Sequence, residues 1–277
     1  TAAALAERGV PVRFVRVPRS GRVETEALSE ALEDLRAGAQ LGERPVVALQ
    51  AVNHETGLLQ PVREVAALCL ERGVHLHVDA VQLLGRGALG DLDDAGNLAV
   101  AAPPIRGPTG VGALLFRCGW QPVPLARGGA QERGLRPGTL DGVALAGFGA
   151  ALERVEESVA RYTEWAQLRD ELEAHLVAHG AQLHGLGGPR LGHVTNFRFD
   201  GWNGDELVAA LDLHEVCVSS GSACSAGTAE PSPVIEAQLG RDAARGAVRV
   251  SLGEDTTRAD IEKFELALER VGVLRRQ

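Results

Sequence analysis

The first half of the chain alternates apolar runs with amphipathic helical patterns, and this alternation restricts the folds open to it. The run PVVALQAV, residues 45–52, is continuously apolar, as expected of a strand that is covered on both faces. ETEALSEALEDL has apolar residues at helical spacing after Thr25, a suitable N-cap, and PVREVAALCLERG has Pro61 in its first turn and Gly73 at its end. This order predicts an α/β fold whose largely parallel sheet is sandwiched by helices.

Further along, the patterns predict more strands and then a second kind of structure. VRFVRV (residues 12–17), VHLHVDA, NLAVAA and VGALLFR are predicted as strands. Beyond HGLGGPRLG, strands are predicted at HVTNFRF, VCVSS and AVRVSL, and helices at GDELVAALDLHE and from Ala259 onward. We therefore predict a large α/β domain over residues 1–160 and a smaller C-terminal α+β domain over residues 161–277.

Composition excludes several classes of function. A net charge of −9 argues against a nucleic-acid partner, which requires a basic surface. No apolar run is long enough to span a bilayer, so no membrane partner is expected. The start, TAAALAERGVPVRF, lacks the layout of a signal peptide, and the four cysteines are too scattered for a disulfide framework. These features predict a cytoplasmic protein.

Cys224 lies within SSGSACSAGTAEPS, residues 219–232, among small residues that show no apolar periodicity. An accessible thiol can act as a nucleophile or carry sulfur where a neighbour lowers its pKa. The alternative is a surface loop with an incidental thiol, and the surrounding residues leave both interpretations open. The other three cysteines are interpreted as incidental thiols: Cys69 lies on a predicted helix and is expected in the core, Cys217 lies in a predicted strand, and Cys118 follows one.

Six segments, in the same order, resemble the motifs of cysteine desulfurases, which are pyridoxal-phosphate (PLP) enzymes of fold type I in the class V aminotransferase group. AVNHETGLLQPV resembles N-N-E-x-G-x-x-Q-P, and HVDAVQLLG resembles H-V-D-A-x-Q-x-x-G. The others are RGPTGVGALLFR, GGAQERGLRPGT, SSGSACSAGTAEPS and AVRVSLGEDTT. Together they cover almost the whole chain. The resemblance is to a truncated, degenerate member, because Thr1 falls beyond the family's early phosphate-binding segment.

The resemblance implies a role for each matching residue. Cys224 corresponds to the cysteine that attacks the sulfur of PLP-bound cysteine and becomes a persulfide. Arg249 corresponds to the arginine that binds the substrate carboxylate, for which a planar guanidinium is suited. Asp79 corresponds to the carboxylate that pairs with the pyridine nitrogen, Gln82 to a contact of the ring oxygen, and Thr139 to a phosphate contact across the dimer interface. The alternatives are a strand-edge arginine on a solvated face for Arg249 and a helix N-cap for Asp79.

The stretch AAPPIRGPTG departs from the family's S-x-H-K-x-x-G-P-K-G, whose first lysine forms the Schiff base with PLP. Pro104 stands at the lysine, Pro103 at the histidine and Ala101 at the phosphate-contacting serine. Proline has no amine, and Lys263, the only lysine, is predicted on the solvated face of the last helix. His54, a candidate cofactor contact, stands at the second asparagine of N-N-E. We therefore expect no covalently bound PLP.

Three interpretations of function remain open. The first is a pseudoenzyme that acts as a partner subunit or sulfur carrier, with Cys224 as the persulfide acceptor. The second is an active PLP-dependent cysteine desulfurase completed by another chain, and the third is a non-catalytic scaffold that binds a protein. A homodimer is expected to cover exposed sheet surface, and a companion desulfurase or a sulfur-acceptor protein is a further expected partner. His75 and His77 alternate along one strand without an evident third ligand, so no metal site is predicted.

Overall fold

The computed structural model describes residues 2–38, 45–89, 92, 94–117, 122–221 and 230–273. The helices in these ranges are α1 (Ala2–Glu7), α2 (Thr25–Ala37), α3 (Val62–Glu71), α4 (Gly142–Leu152), α5 (Val155–Ala178), α6 (Gly204–Asp212), α7 (Pro233–Leu239), α8 (Arg241–Gly246) and α9 (Arg258–Val271). The strands are β1 (Val46–Gln50), β2 (His75–Asp79), β3 (Asn97–Ala101), β4 (Gly112–Phe116), β5 (Gln182–Leu183), β6 (Val194–Arg198), β7 (Ser219–Ser220) and β8 (Val248–Ser251). Short 3-10 helices lie at Pro103–Ile105 and Gln131–Gly134.

Strands β1 to β4 form the first sheet in sequence order. β1, β2 and β3 are parallel, and β4 is antiparallel to β3. On β2, Leu76 and Val78 point to a buried face, whereas Asp79, at the end of the strand, is exposed. Helix α3 packs against β2 and buries Val65 and Cys69. Asp79 therefore presents its carboxylate at the carboxyl end of β2, the edge of parallel α/β sheets at which ligands generally bind.

The second sheet is antiparallel throughout, in the order β5-β6-β8-β7. Its core contains Phe197 of β6, Leu207 and Leu211 of α6, and Phe264 of α9, all buried. The rings of Phe197 and Phe264 meet edge to face, with centroids 6.4 Å apart. Strand β8 lies between β6 and β7, so its side chains are supported from both sides.

The chain divides into two compact units. The second-sheet unit comprises Thr1–Leu35, Val52–Pro61 and Ala160–Gln277, and the first-sheet unit comprises Arg36–Ala51 and Val62–Val159. The chain passes between the units at residue 160 and also near residues 36, 52 and 62. The division into domains 1–160 and 161–277 stays a prediction. None of the described helices combines the length and apolarity needed to cross a bilayer.

The predicted fold class, an α/β part with a smaller α+β part, is confirmed, and the strand predicted at residues 12–17 is wrong. Residues 10–18 form no strand, and Phe14 is 75% exposed. VRFVRV has the alternation of a half-buried strand, but a strand also requires a hydrogen-bonded neighbour. Among the described residues no strand pairs with residues 12–17, and the alternation of apolar and polar residues could not predict this.

Candidate functional site

Arg249 lies at the centre of the second sheet. Its backbone is opposite Asn196 of β6 and Ser219 of β7, so β8 is not an edge strand. Its guanidinium is part-buried and donates from Nη1 to the carbonyl oxygen of His54 and from Nη2 to Oγ of Ser219, both at 3.4 Å. Strand β8 fixes the position of its Cα, and the two acceptors orient the plane of its guanidinium. Arg249 is therefore not an arginine of an edge strand on a solvated face, which was the alternative.

The turn at residues 53–57 presents the carbonyl of His54 to Arg249. Asn53 organises this turn, because its Oδ1 accepts hydrogen bonds from the backbone N–H groups of Glu55 and Thr56, each at 3.0 Å. Asn53 is itself buried, so the turn is held from inside. The ring of His54 is part-exposed, with Nε2 3.7 Å from Oε1 of Glu55. His54 therefore joins the site through its backbone and offers an imidazole beside a carboxylate.

Two buried residues that the sequence reasoning missed connect this turn to helix α7. Oγ of Ser232 donates a 2.5 Å hydrogen bond to Oε2 of Glu55, and both residues are 0% exposed. The same Oγ accepts the N–H of Ile235 at 3.0 Å and so caps α7. The sequence does carry a signal for Ser232, since serine before Pro233 is a typical N-cap followed by proline at N1.

Cys224 lies outside the described residues, as does Cys118, but the chain on both sides of residues 222–229 is described. On the entering side, β7 pairs with β8, and the hydroxyl of Ser220 donates to Asp205. On the returning side, Glu230 leads to the cap of α7. A Cβ built on Gly221 would lie 3.5 Å from N of Ser232 and 3.6 Å from O of Glu230. Both ends of the segment therefore lie together, close to β8.

Asp79 and Gln82 lie in the first-sheet unit, at the carboxyl end of β2. Oδ1 of Asp79 accepts the N–H of Val81 at 3.0 Å, and the carbonyl oxygen of the Gln82 side chain accepts from the guanidinium of Arg86. Residues 81–86 form turns rather than a regular helix, so Asp79 is not the N-cap of an α-helix. Thr139 is also in this unit and is exposed in an irregular segment.

The residues at the family's lysine position do not fit covalently attached PLP. Pro104 lies in the 3-10 helix Pro103–Ile105 and offers no amine. Nζ of Lys263, on α9, lies 3.2 Å from Oε2 of Glu215, and about half of the lysine side chain (49%) is exposed. The predicted solvated position of Lys263 is confirmed. This chain therefore offers no amine at that position to which PLP could be attached.

The histidine pair of β2 is part of the packing between strands. Nδ1 of His77 lies 2.7 Å from Oδ1 of Asn97 on β3. Burial lowers the pKa of His75, which favours a neutral ring. Across the part of the chain that the structure describes, no group of three or more His, Cys, Asp or Glu could hold a metal ion.

Comparison with known proteins identifies the family. The model of the family Aminotransferase class-V matches residues 1–264. Cysteine desulfurase IscS of Clostridium botulinum (strain Kyoto / Type A2) is 32% identical over 286 residues, which cover 100% of this chain and 70% of that protein. The chain belongs to the cysteine desulfurase family of class V aminotransferases. The resemblance stated from the six sequence segments is thereby confirmed.

Other members of the cysteine desulfurase family give the same result. Cysteine desulfurase NifS of Azotobacter vinelandii is 36% identical over 265 residues, and the match covers 94% of this chain and 64% of NifS. The structure of a NifS-like protein from Rickettsia africae ESF-5 has a TM-score of 0.85 and 26% identity, covering 98% of this chain and 72% of that chain. This cysteine desulfurase-family chain thus spans about two thirds of the length of NifS.

Proposed function

We propose that this cysteine desulfurase-like chain carries sulfur on Cys224 and receives it from a protein persulfide, without covalently bound PLP of its own. The observation that carries the proposal is Pro104 at the position of the family's lysine. The ion pair of Lys263 with Glu215 supports it further, because the only amine side chain of the sequence is engaged on the surface of α9. The family's usual source of sulfur therefore lacks its attachment point in this chain.

The proposed transfer balances without an oxidant. The thiolate of Cys224 attacks the terminal sulfur of the donor persulfide, forming a new S–S bond while the S–S bond of the donor breaks. The donor cysteine leaves as a thiolate, and Cys224 becomes the persulfide. Arg249 supports this role, because an oriented guanidinium beside Ser219, on the entering side of residues 222–229, favours a carboxylate or another anion at this place.

The test follows sulfur onto individual cysteines. The purified protein is mixed with a persulfidated cysteine desulfurase, and its peptides are analysed by mass spectrometry. We expect the peptide of Cys224 to gain the mass of one sulfur atom, and this gain to be lost in Cys224→Ser. Cys217→Ser is the matched control, since Cys217 is exposed and only seven positions away in the sequence. A wild-type protein that takes up no sulfur on Cys224 contradicts the proposal.

A second candidate function is an active PLP-dependent desulfurase completed by another chain. Asp79 and Gln82 at the carboxyl end of β2 favour it, because they correspond to the ring contacts of the family. The test is to add PLP to the protein with its co-purifying chains, reduce with borohydride and locate the pyridoxyl group by mass spectrometry. A specific adduct on a companion chain, together with sulfide release from cysteine, would favour this candidate over the first.

Partner and location also stay predictions. A homodimer is testable by sedimentation, and cytoplasmic location by fractionation. Binding of a partner protein that persists after every cysteine is replaced by serine, with no sulfur uptake by the wild-type protein, would favour the scaffold interpretation instead.

A further inference from the structure

Two histidines lie one helical turn apart at the carboxyl end of α5. His175 is in the last turn of the helix, and His179 directly follows its last residue, Ala178. Residues at i and i+4 share one face of a helix, and the two rings have centroids 4.4 Å apart with their planes tilted by 33°. Both side chains are part-exposed, so solvent and small solutes reach the pair.

The hydrogen bond of His179 determines which of its ring nitrogens is available to a ligand. Nδ1 of His179 lies 2.9 Å from the carbonyl oxygen of His175, and a carbonyl oxygen can only accept. Nδ1 therefore carries the proton, and a neutral ring has its lone pair on Nε2. The same carbonyl also accepts the backbone N–H of His179 at 3.3 Å, so the residue is held through both its backbone and its ring.

His175 is oriented by a carboxylate from another helix. Its Nδ1 lies 3.7 Å from Oε1 of Glu265 on α9, and a carboxylate at this place favours the proton on Nδ1. Its Nε2 is buried and has no hydrogen-bond partner among the described residues. The lone pair of His175 is thus left unsatisfied beside a second imidazole whose lone pair is also on Nε2, and leaving such a group unsatisfied is unfavourable.

The end of α5 adds a negative potential at this place. The helix spans 24 residues, and at its end Gly180, with a φ of 92°, allows the N–H of Ala181 to donate to the carbonyl of Leu176 at 2.9 Å. The carboxyl end of a helix carries a partial negative charge, to which Glu265 adds its own. A cation at the two Nε2 atoms would therefore satisfy the lone pair of His175 in a favourable potential.

We propose that His175 and His179 bind a divalent transition-metal ion through their Nε2 atoms. Imidazole is a suitable ligand for Ni²⁺, Cu²⁺ and Zn²⁺, and two histidines at i and i+4 on one helix face are a known metal-binding pair. Metal–nitrogen distances of about 2.0–2.1 Å let one ion bridge nitrogens up to about 4 Å apart, which rings with centroids 4.4 Å apart allow.

Water supplies the remaining ligands, because the described residues offer no group of three or more His, Cys, Asp or Glu for a metal ion. Glu265 is a positioning residue, since it contacts Nδ1 of His175 and not the metal. The site involves neither Cys224 nor PLP. It therefore goes beyond the proposed function and does not depend on it.

Isothermal titration calorimetry of the full chain, without a histidine tag, tests the site with nickel chloride at neutral pH. We expect a Ni²⁺ site in the wild-type protein that is weakened at least about tenfold in His175→Ala and in His179→Ala, because each change removes one of the two protein ligands. Glu265→Ala should weaken binding about tenfold, and Glu265→Gln, which keeps an acceptor for Nδ1, should weaken it less. Magnesium chloride, whose ion prefers oxygen ligands, should not bind there.

The matched control is His214→Ala, since His214 is another part-exposed histidine just beyond a helix, α6, in the same unit. This change should leave the Ni²⁺ affinity unchanged. Urea unfolding with and without Ni²⁺ separates binding from folding, because each variant is compared with itself. Ni²⁺ should raise the urea midpoint of the wild type and of His214→Ala, but not that of His175→Ala or His179→Ala.

The possible results distinguish the metal site from its alternatives. Absence of Ni²⁺ binding by the wild-type protein, wild-type affinity in His179→Ala, or a loss in His214→Ala as large as in His179→Ala overturns the metal site. Because His179 follows the helix and is part-exposed, its variant decides the matter even if His175→Ala does not fold. Wild-type affinity in Glu265→Ala overturns the positioning role of Glu265.

Discussion

Replacing Glu173 by alanine is expected to lower the free energy of unfolding by about 3–5 kcal/mol, the usual loss when one partner of a buried ion pair is removed. The carboxylate of Glu173 on α5 accepts two hydrogen bonds from Arg190, at 2.7 and 2.6 Å. The side chains of Glu173 and Arg190 are only 8% and 9% exposed. Each charge-assisted bond contributes roughly 1.5–3 kcal/mol, so two of them give about 3–6 kcal/mol, which overlaps the expected loss.

Arg169 adds little to this estimate. Its Nε is 4.0 Å from Oε1 of Glu173, beyond hydrogen-bond range. It keeps its own partners after the change, the carbonyl of Leu191 at 2.6 Å and the carboxylate of Asp170. The predicted loss therefore belongs to Arg190, whose guanidinium would stay buried without its carboxylate.

Urea unfolding at neutral pH, followed by circular dichroism, measures the loss. The matched control is Glu171→Ala on the same helix, whose partner Arg258 is exposed, and this change should lower stability by about 1 kcal/mol or less. The double change Glu173→Leu, Arg190→Leu should lower it less than Glu173→Ala, because it leaves no buried guanidinium of Arg190 without its carboxylate. A loss below about 1 kcal/mol for Glu173→Ala would refute the reasoning, since the pair would then behave as a surface pair.

Three further predictions concern single residues. Burial raises the pKa of Cys69 to about 11, so at pH 8 iodoacetamide should leave Cys69 unmodified while it labels the exposed Cys217, as peptide mass spectrometry would show. Burial lowers the pKa of His184 below 6.5, so as the pH falls the unfolded chain takes up a proton at this residue before the folded chain does. The free energy of unfolding should therefore fall as the pH drops below 6.5, and urea titrations should show a smaller fall with pH for His184→Gln. A Cβ at Gly192 would lie 2.4 Å from a backbone oxygen of α5, so Gly192→Ala should lower the urea-derived stability by about 1–3 kcal/mol, whereas Gly149→Ala, facing open space, should not lower it.

The parallel strands could be predicted from the sequence because a strand that is covered on both faces consists mainly of apolar residues. β1 and β3 are apolar runs bounded by turn residues, and both were predicted within a few positions of their ends. VRFVRV fits a strand pattern equally well, yet Phe14 is exposed and residues 12–17 pair with no strand in the part of the chain that the structure describes. A pattern describes the faces of one segment, but it does not contain the neighbour that must supply hydrogen bonds.

Those residues of the candidate site that match a family motif could be predicted from the sequence. Spacing and resemblance pointed to Arg249 and His54, and the structure brings these two into contact. The contact uses the backbone of His54, which no side-chain motif describes. Glu55 and Ser232 are 177 positions apart and meet only because the turn at residues 53–57 and the start of α7 fold together in one unit. Their pairing is a property of the fold and has no local signal.

The stability of the Glu173 network and the geometry of the proposed site are physically connected through one stretch of chain. Arg190 lies opposite Leu58 in an isolated bridge, and the N–H of Leu191 donates to the carbonyl of Gly57 at 2.9 Å. These contacts fix the far side of the turn whose near side carries His54 and Glu55. Because the turn is thus held both by the buried ion pair and by Ser232, loosening either support should disturb Arg249 before the whole unit unfolds. Asn53 holds the same turn from inside, so these supports together keep the carbonyl of His54 directed at Arg249.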